Sequence, residues 1–173
     1  MDSLKNKSII IYINDPLSLD YAFPLMTNVI LSSSWDFMSM QLIYDMPHWQ
    51  ENAPETYYSI SLVTSEWIRN NIKENPDNLS FAIPDLHKCF INYDRWSGSH
   101  LPKEDRISLW QYRYYLINHE FGHLLGLKHP PHSWMQRLKG KYTPVMNQHT
   151  IKKVTERIPL YKPSDADFLD YGK

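Results

Sequence analysis

Runs of apolar residues and loose alternation mark four candidate strands in the first half of the chain. Residues 7–13 contain the β-branched run SIIIYI and stop at Asn14-Asp15-Pro16, a turn-forming cluster. Residues 37–44 (FMSMQLIY) alternate loosely, whereas 57–64 (YYSISLVT) alternate clearly. In that third segment Tyr58, Ile60 and Leu62 share one face, with Ser59 and Ser61 on the other. Residues 88–96 (KCFINYDRW) read as a further strand closed by Ser97-Gly98. Two helical stretches interleave with these strands. One runs from about Ser18 to Ser32, with Ser18 and Asp20 as starting residues and Pro24 in its first turns, and one from Ser65 to Ile72 before Asn75-Pro76.

From about Pro102 to Leu125 the pattern changes to a single long helix, with Pro102 near its first turn and Gly126 at its end. Trp110, Tyr114, Ile117, Phe121, Leu124 and Leu125 fall on one side of the helical wheel, predicted to face a core. His119 and His123 fall on roughly the opposite side, predicted to line a cleft. A loop-rich stretch with five prolines (130, 131, 144, 159 and 163) follows, and a short final helix is expected from Ser164, where Ser164 and Asp167 resemble a capping box. The expected class is α+β: a twisted mixed sheet, a long helix and a loop-rich C-terminal part ending in a short helix.

A length of 173 residues suits one domain, and no repeat, low-complexity tract or Gly/Ser linker divides the chain. With 42% hydrophobic and 21% charged residues the composition is that of a folded protein. A formal net charge of −1 argues against a nucleic-acid surface, which normally carries a basic excess. One cysteine, Cys89, excludes an internal disulfide scaffold and reads as a buried strand thiol. SIIIYI is too short for a membrane helix and lacks the cleavage site of a secretory signal, so no membrane association is expected and an intracellular location is the default.

The segment with the clearest chemistry is His119-Glu120-Phe121-Gly122-His123-Leu124-Leu125-Gly126-Leu127-Lys128-His129, an HExxHxxGxxH pattern. Two histidines four apart on a helix project from one face, so their imidazoles can converge on one ion. Glu120 lies about 60° from His123 around the wheel, within reach of a water on that ion. In a continued helix His129 would stand about 9 Å beyond His123 along the axis. A glycine at 126 can take a left-handed conformation, ending the helix and turning the chain back toward the metal. In chains of this composition HExxH arises by chance once in about 70, and the extended pattern once in about 50,000.

This segment resembles the zinc signature of the metzincin clan of metalloendopeptidases. The resemblance implies one catalytic Zn2+ held by His119, His123 and His129, with Glu120 as general base. It also implies a methionine in a tight turn beneath the metal, a place that Pro144-Val145-Met146-Asn147 can fill. A metzincin-like single domain would span 1–173, with an upper subdomain over about 1–126 and a lower one over about 127–173. Its partner would be a protein or peptide substrate held in extended form along an edge strand within 80–96, with residues 130–143 walling the primed-side pocket. Pro130 after the third histidine is similar to the serralysin-type branch, but the tyrosine that branch carries two residues after the methionine is Gln148 here.

Two other readings remain. In a gluzincin-type peptidase Glu156 would be the third ligand, although Leu160 stands where that motif has Asp. A non-catalytic zinc-binding interaction module of the same fold is the other, against which an intact Glu120 and a three-ligand site both count. His48, His87, His100, His132 and His149 have no ligand spacing and read as loop or surface residues, and Lys139, Lys141, Lys152 and Lys153 as a solvated cluster.

Overall fold

The computed structural model describes residues 8–14, 26, 28, 39–45, 58–73, 79–99, 108–131, 142–147 and 158–159. Three parallel strands come first in the chain: β1 (Ser8–Asn14), β2 (Ser39–Asp45) and β3 (Tyr58–Val63). Helix α1 (Ser65–Asn71), β4 (Phe81–Ile83), a 3-10 turn at Pro84–Leu86 and β5 (Lys88–Asn92) follow. Helices α2 (Tyr93–Trp96) and α3 (Leu109–Leu124) complete the larger layer structure, and β6 (Tyr142–Thr143) pairs in parallel with β7 (Ile158–Pro159).

The main sheet has the order β2-β1-β3-β5-β4. Its first four strands are parallel, with Ile11 opposite Leu42, Ile13 opposite Ile60, and Ile60 opposite Cys89. β4 runs antiparallel to β5 and forms an edge, so the sheet is mixed and the architecture is α+β. Strand β3 is covered on both faces: Ile60 and Leu62 are fully buried, and Ser61, read as facing away from the core, is buried too. Along β5, Cys89 and Ile91 belong to the core cluster with α3, while Phe90 points the other way and stacks on Trp67 of α1 and Phe81 of β4. The sheet therefore lies between α1 and α3.

Two expected boundaries move, and local hydrogen bonding explains both. The strand read over 88–96 ends at Asn92, whose Oδ1 accepts the amides of Asp94 (2.8 Å) and Arg95 (3.4 Å) and starts the single turn α2. The helix read from Pro102 begins at Leu109. Ser108 is its N-cap in extended conformation, its Oγ accepts from Gln111 N, and Gln111 Oε1 accepts in return from Ser108 N. The S-x-x-Q signal was present in the sequence, but Pro102 followed by the charged run KEDR reads as a helix first turn and drew the expected start upstream.

α3 packs on β5 and β4 and is buried almost all round, because Tyr112, Tyr115, Leu116 and Asn118 are covered as well as Tyr114, Ile117, Phe121 and Leu124. The simple division into a core face and a cleft face is corrected accordingly. Trp110, read as a core residue, is 49% exposed and lies against the ring of Tyr114. Its position in the first turn carries it past the edge of the core. Val145 and Met146 from the C-terminal part join the same hydrophobic cluster as the strands and α3.

Of the helix read over Ser18–Ser32, Met26 and Asn28 are described; both are helical and Met26 is fully buried. The final helix from Ser164, most of the 130–143 loop, Glu156, Gln148, His48, His100, His132, His149 and the lysine cluster lie outside the described residues. Among the described residues no helix is long and apolar enough to cross a membrane.

Candidate metal centre

The last turns of α3 carry His119, Glu120 and His123, and the helix stops where glycine permits. Leu125 is the C-cap, and Gly126 has φ +89°. The amide of Leu127 donates to Gly122 O (2.9 Å) and that of Gly126 to His123 O (2.9 Å), the paired closure that reverses the chain at a helix end. This reversal returns His129 to the helix instead of carrying it further along the axis.

The three imidazoles meet. His129 Nε2 lies 3.1 Å from His119 Nε2 and 2.9 Å from His123 Nε2, and one nitrogen from each ring falls within a 4.8 Å group. The rings of His119 and His123 are nearly perpendicular, as are those of His123 and His129. His119 is buried, His123 half-buried and His129 exposed, so the group runs from the buried helix to the protein surface.

Carbonyl groups behind two of the rings determine which nitrogen faces the others. His119 Nδ1 is 2.7 Å from Val145 O, and His123 Nδ1 is 2.8 Å from Leu127 O. A carbonyl only accepts, so both Nδ1 atoms carry the proton and both Nε2 atoms present bare lone pairs. His129 can donate from Nε2 to one of them at most. A metal ion satisfies all three lone pairs at once. Tetrahedral coordination at zinc–nitrogen distances of about 2.0–2.1 Å separates ligand nitrogens by about 3.3–3.4 Å, a few tenths of an ångström wider than the spacing here. The donor set therefore fits a metal ion, and among the described residues no fourth side chain joins it.

Electrostatics agree with a site prepared for a cation. Partial desolvation of its ring, helped by the nearby charge of His123, pushes His129 down to about 4 although the residue is exposed overall, and desolvation lowers His123 as well. His123 and His129 are thus neutral and able to ligate at neutral pH. Glu120 is buried and its pKa is raised by desolvation to about 8 in the metal-free protein, with Arg95 opposing the rise. Glu120 stands outside the group of ligating atoms.

Several contributors were not legible in the sequence. Arg95, nearly buried, bears on Glu120 and hydrogen-bonds Tyr112. It is held near α3 through α2, since Arg113 Nε donates to Trp96 O (2.9 Å) and its guanidinium lies 5.0 Å from the centroid of the Trp96 ring. The carbonyls of Leu127 and Val145 have no side-chain signature at all. The turn Pro144–Asn147, closed by Asn147 N donating to Pro144 O (3.1 Å), seats Met146 fully buried against Gly122 of α3.

No curated protein and no solved structure matches the chain. A match to the family described as a protein of unknown function (DUF3152) covers residues 22–167, which takes in α3, the three histidines and the Pro144–Asn147 turn. The chain belongs to the DUF3152 family.

Proposed function

We propose that the chain is a zinc-dependent endopeptidase with a metzincin-like catalytic domain. The observation that carries this reading is the meeting of three Nε2 lone pairs, two of them committed by carbonyls behind the rings. His119, His123 and His129 hold the ion and leave room for further ligands, the arrangement of a catalytic rather than a four-ligand structural site. Bound there, zinc supplies Lewis-acid chemistry, polarising a carbonyl and activating water near neutral pH.

Glu120 takes the proton of the attacking water and delivers it to the leaving amine. Because desolvation raises its pKa to about 8, Glu120 depends on the charge of a neighbouring cation to be ionised and serve as base near neutrality. The substrate lies extended along β4, which stands at the edge of the main sheet and against α3, and pairs with it backbone to backbone. Met146 in its turn against Gly122 plays the part of the methionine beneath the metal.

The position of His129 favours this reading over the gluzincin type, in which Glu156 would replace it. Elemental analysis and peptide-library cleavage test both. The wild-type protein should hold one zinc per chain, His129→Ala should lose it, and Glu156→Ala should keep it. Glu120→Gln should retain zinc and lose cleavage. Undiminished cleavage by Glu120→Gln overturns the assigned base, and a zinc-loaded wild type inert toward a broad library favours the non-catalytic module.

A further inference from the structure

The turn beneath the histidines is fastened to α3 at three points spaced along one stripe of the helix. Tyr115 Oη donates to Asn147 O (3.0 Å), His119 Nδ1 to Val145 O (2.7 Å), and Gly122 receives Met146. Residues 115, 119 and 122 are related by steps of four and three, so they lie one above another on the same face of the helix. Two of the three contacts reach backbone carbonyls two residues apart in the turn, at 145 and 147. The Tyr115 ring, almost fully buried, also lies 5.3 Å from the His119 ring.

We infer that Tyr115 is a positioning residue for the first metal ligand, a role that extends the reading of the three histidines as a metal site. Its hydroxyl pins Asn147 and so holds the Val145 carbonyl where it keeps the His119 proton on Nδ1 and the Nε2 lone pair toward the ion. The physical need is specific. An imidazole on a helix can rotate about two side-chain torsions and change tautomer, and only a fixed acceptor behind it removes both freedoms. Val145 lies in a short irregular turn, which has no ladder of its own to hold that carbonyl still. Tyr115 supplies the missing anchor one helical turn before the ligand.

Tyr115→Phe removes the hydroxyl and keeps the buried ring, and circular dichroism checks that the fold is retained. The control is Tyr114→Phe on the same helix, which removes a hydroxyl directed at Asn28 (3.3 Å) and away from the turn. In metal-free protein the solvent exchange of the His119 Nδ1 proton, followed by NMR of ring-labelled histidine, should quicken about tenfold in Tyr115→Phe and stay within twofold in Tyr114→Phe. Zinc dissociation constants from chelator competition should rise about tenfold in the first variant only. Wild-type exchange in Tyr115→Phe, or an equal change in both variants, overturns the inference. If the wild type takes up no zinc, the metal-site reading fails on that result, and the ring-proton exchange still decides the role of Tyr115.

Discussion

A methyl group on Gly122 would overlap the sulfur of Met146. The two residues are 24 positions apart in the chain, and their contact joins the Pro144–Asn147 turn to the helix that carries two of the three converging histidines. The glycine between the histidines of the HExxH pattern thus has a packing reason apart from the chemistry of its neighbours: it admits the buried methionine.

Gly122→Ala should therefore destabilise the protein by about 1–3 kcal/mol through overpacking, read from urea or thermal unfolding. Trimming the methionine makes room for the added methyl. The double variant Gly122→Ala with Met146→Ala should be less destabilised than the sum of the two single variants, by at least about 0.5 kcal/mol. Strict additivity would show that the pair does not interact as described.

Metal removal should lower stability in a ligand-dependent way. An ion that binds only the folded protein adds about 2.7 kcal/mol when present at one hundred times its dissociation constant. Thermal unfolding with zinc and with a chelator should differ accordingly in the wild type. The difference should vanish in His123→Ala, which leaves only two of the converging nitrogens.

Asn92 joins several elements by itself. Its amide donates to Ser80 Oγ (2.9 Å), its Nδ2 to Ser65 Oγ (2.9 Å), and its Oδ1 caps α2, while Ser65 also bonds Asp94. Asn92→Ala removes the cap and leaves buried groups without partners, at a cost of about 2–3 kcal/mol in denaturant unfolding. Because α2 carries Arg95, the same variant should disturb the surroundings of Glu120.

The Cys89 thiol is fully buried in β5, and burial first, then the negative charge of Glu120, raises its pKa well above 9.0. The folded protein holds this proton where the unfolded chain releases it. The thiol's contribution to stability is therefore complete below pH 9 and declines as pH rises beyond it. Alkylation by iodoacetamide at pH 9 should be much slower in the native protein than in denaturant, and Cys89→Ala should reduce the alkaline loss of stability seen in unfolding curves.

The strands at the N-terminal end, the helix over 65–71 and the motif itself were legible because each is local. Alternation identifies a strand from its own residues, and Gly126 encodes the end of α3 within one turn of chain. The boundary at Ser108 was equally local, in Ser108 and Gln111, but Pro102 and the charged residues after it offered a competing helix start. The strand-to-helix change at Asn92 turned on a side chain capping its successors. Exposure of Trp110 and burial of Ser61 depended on what other elements cover, which periodicity cannot report.

By itself the sequence determined the three histidines, the carboxylate beside the first, and the glycine that lets the third turn back, since these follow from helical spacing and one backbone conformation. Only the tertiary structure decided how the imidazoles are held: Val145 and Leu127 carbonyls behind two rings, Tyr115 anchoring the turn, Met146 seated on Gly122 and Arg95 brought near Glu120. The reason is physical. A backbone carbonyl is the same in every residue, so its role depends on where the fold puts it, and contacts between distant segments exist only after the core has closed around them.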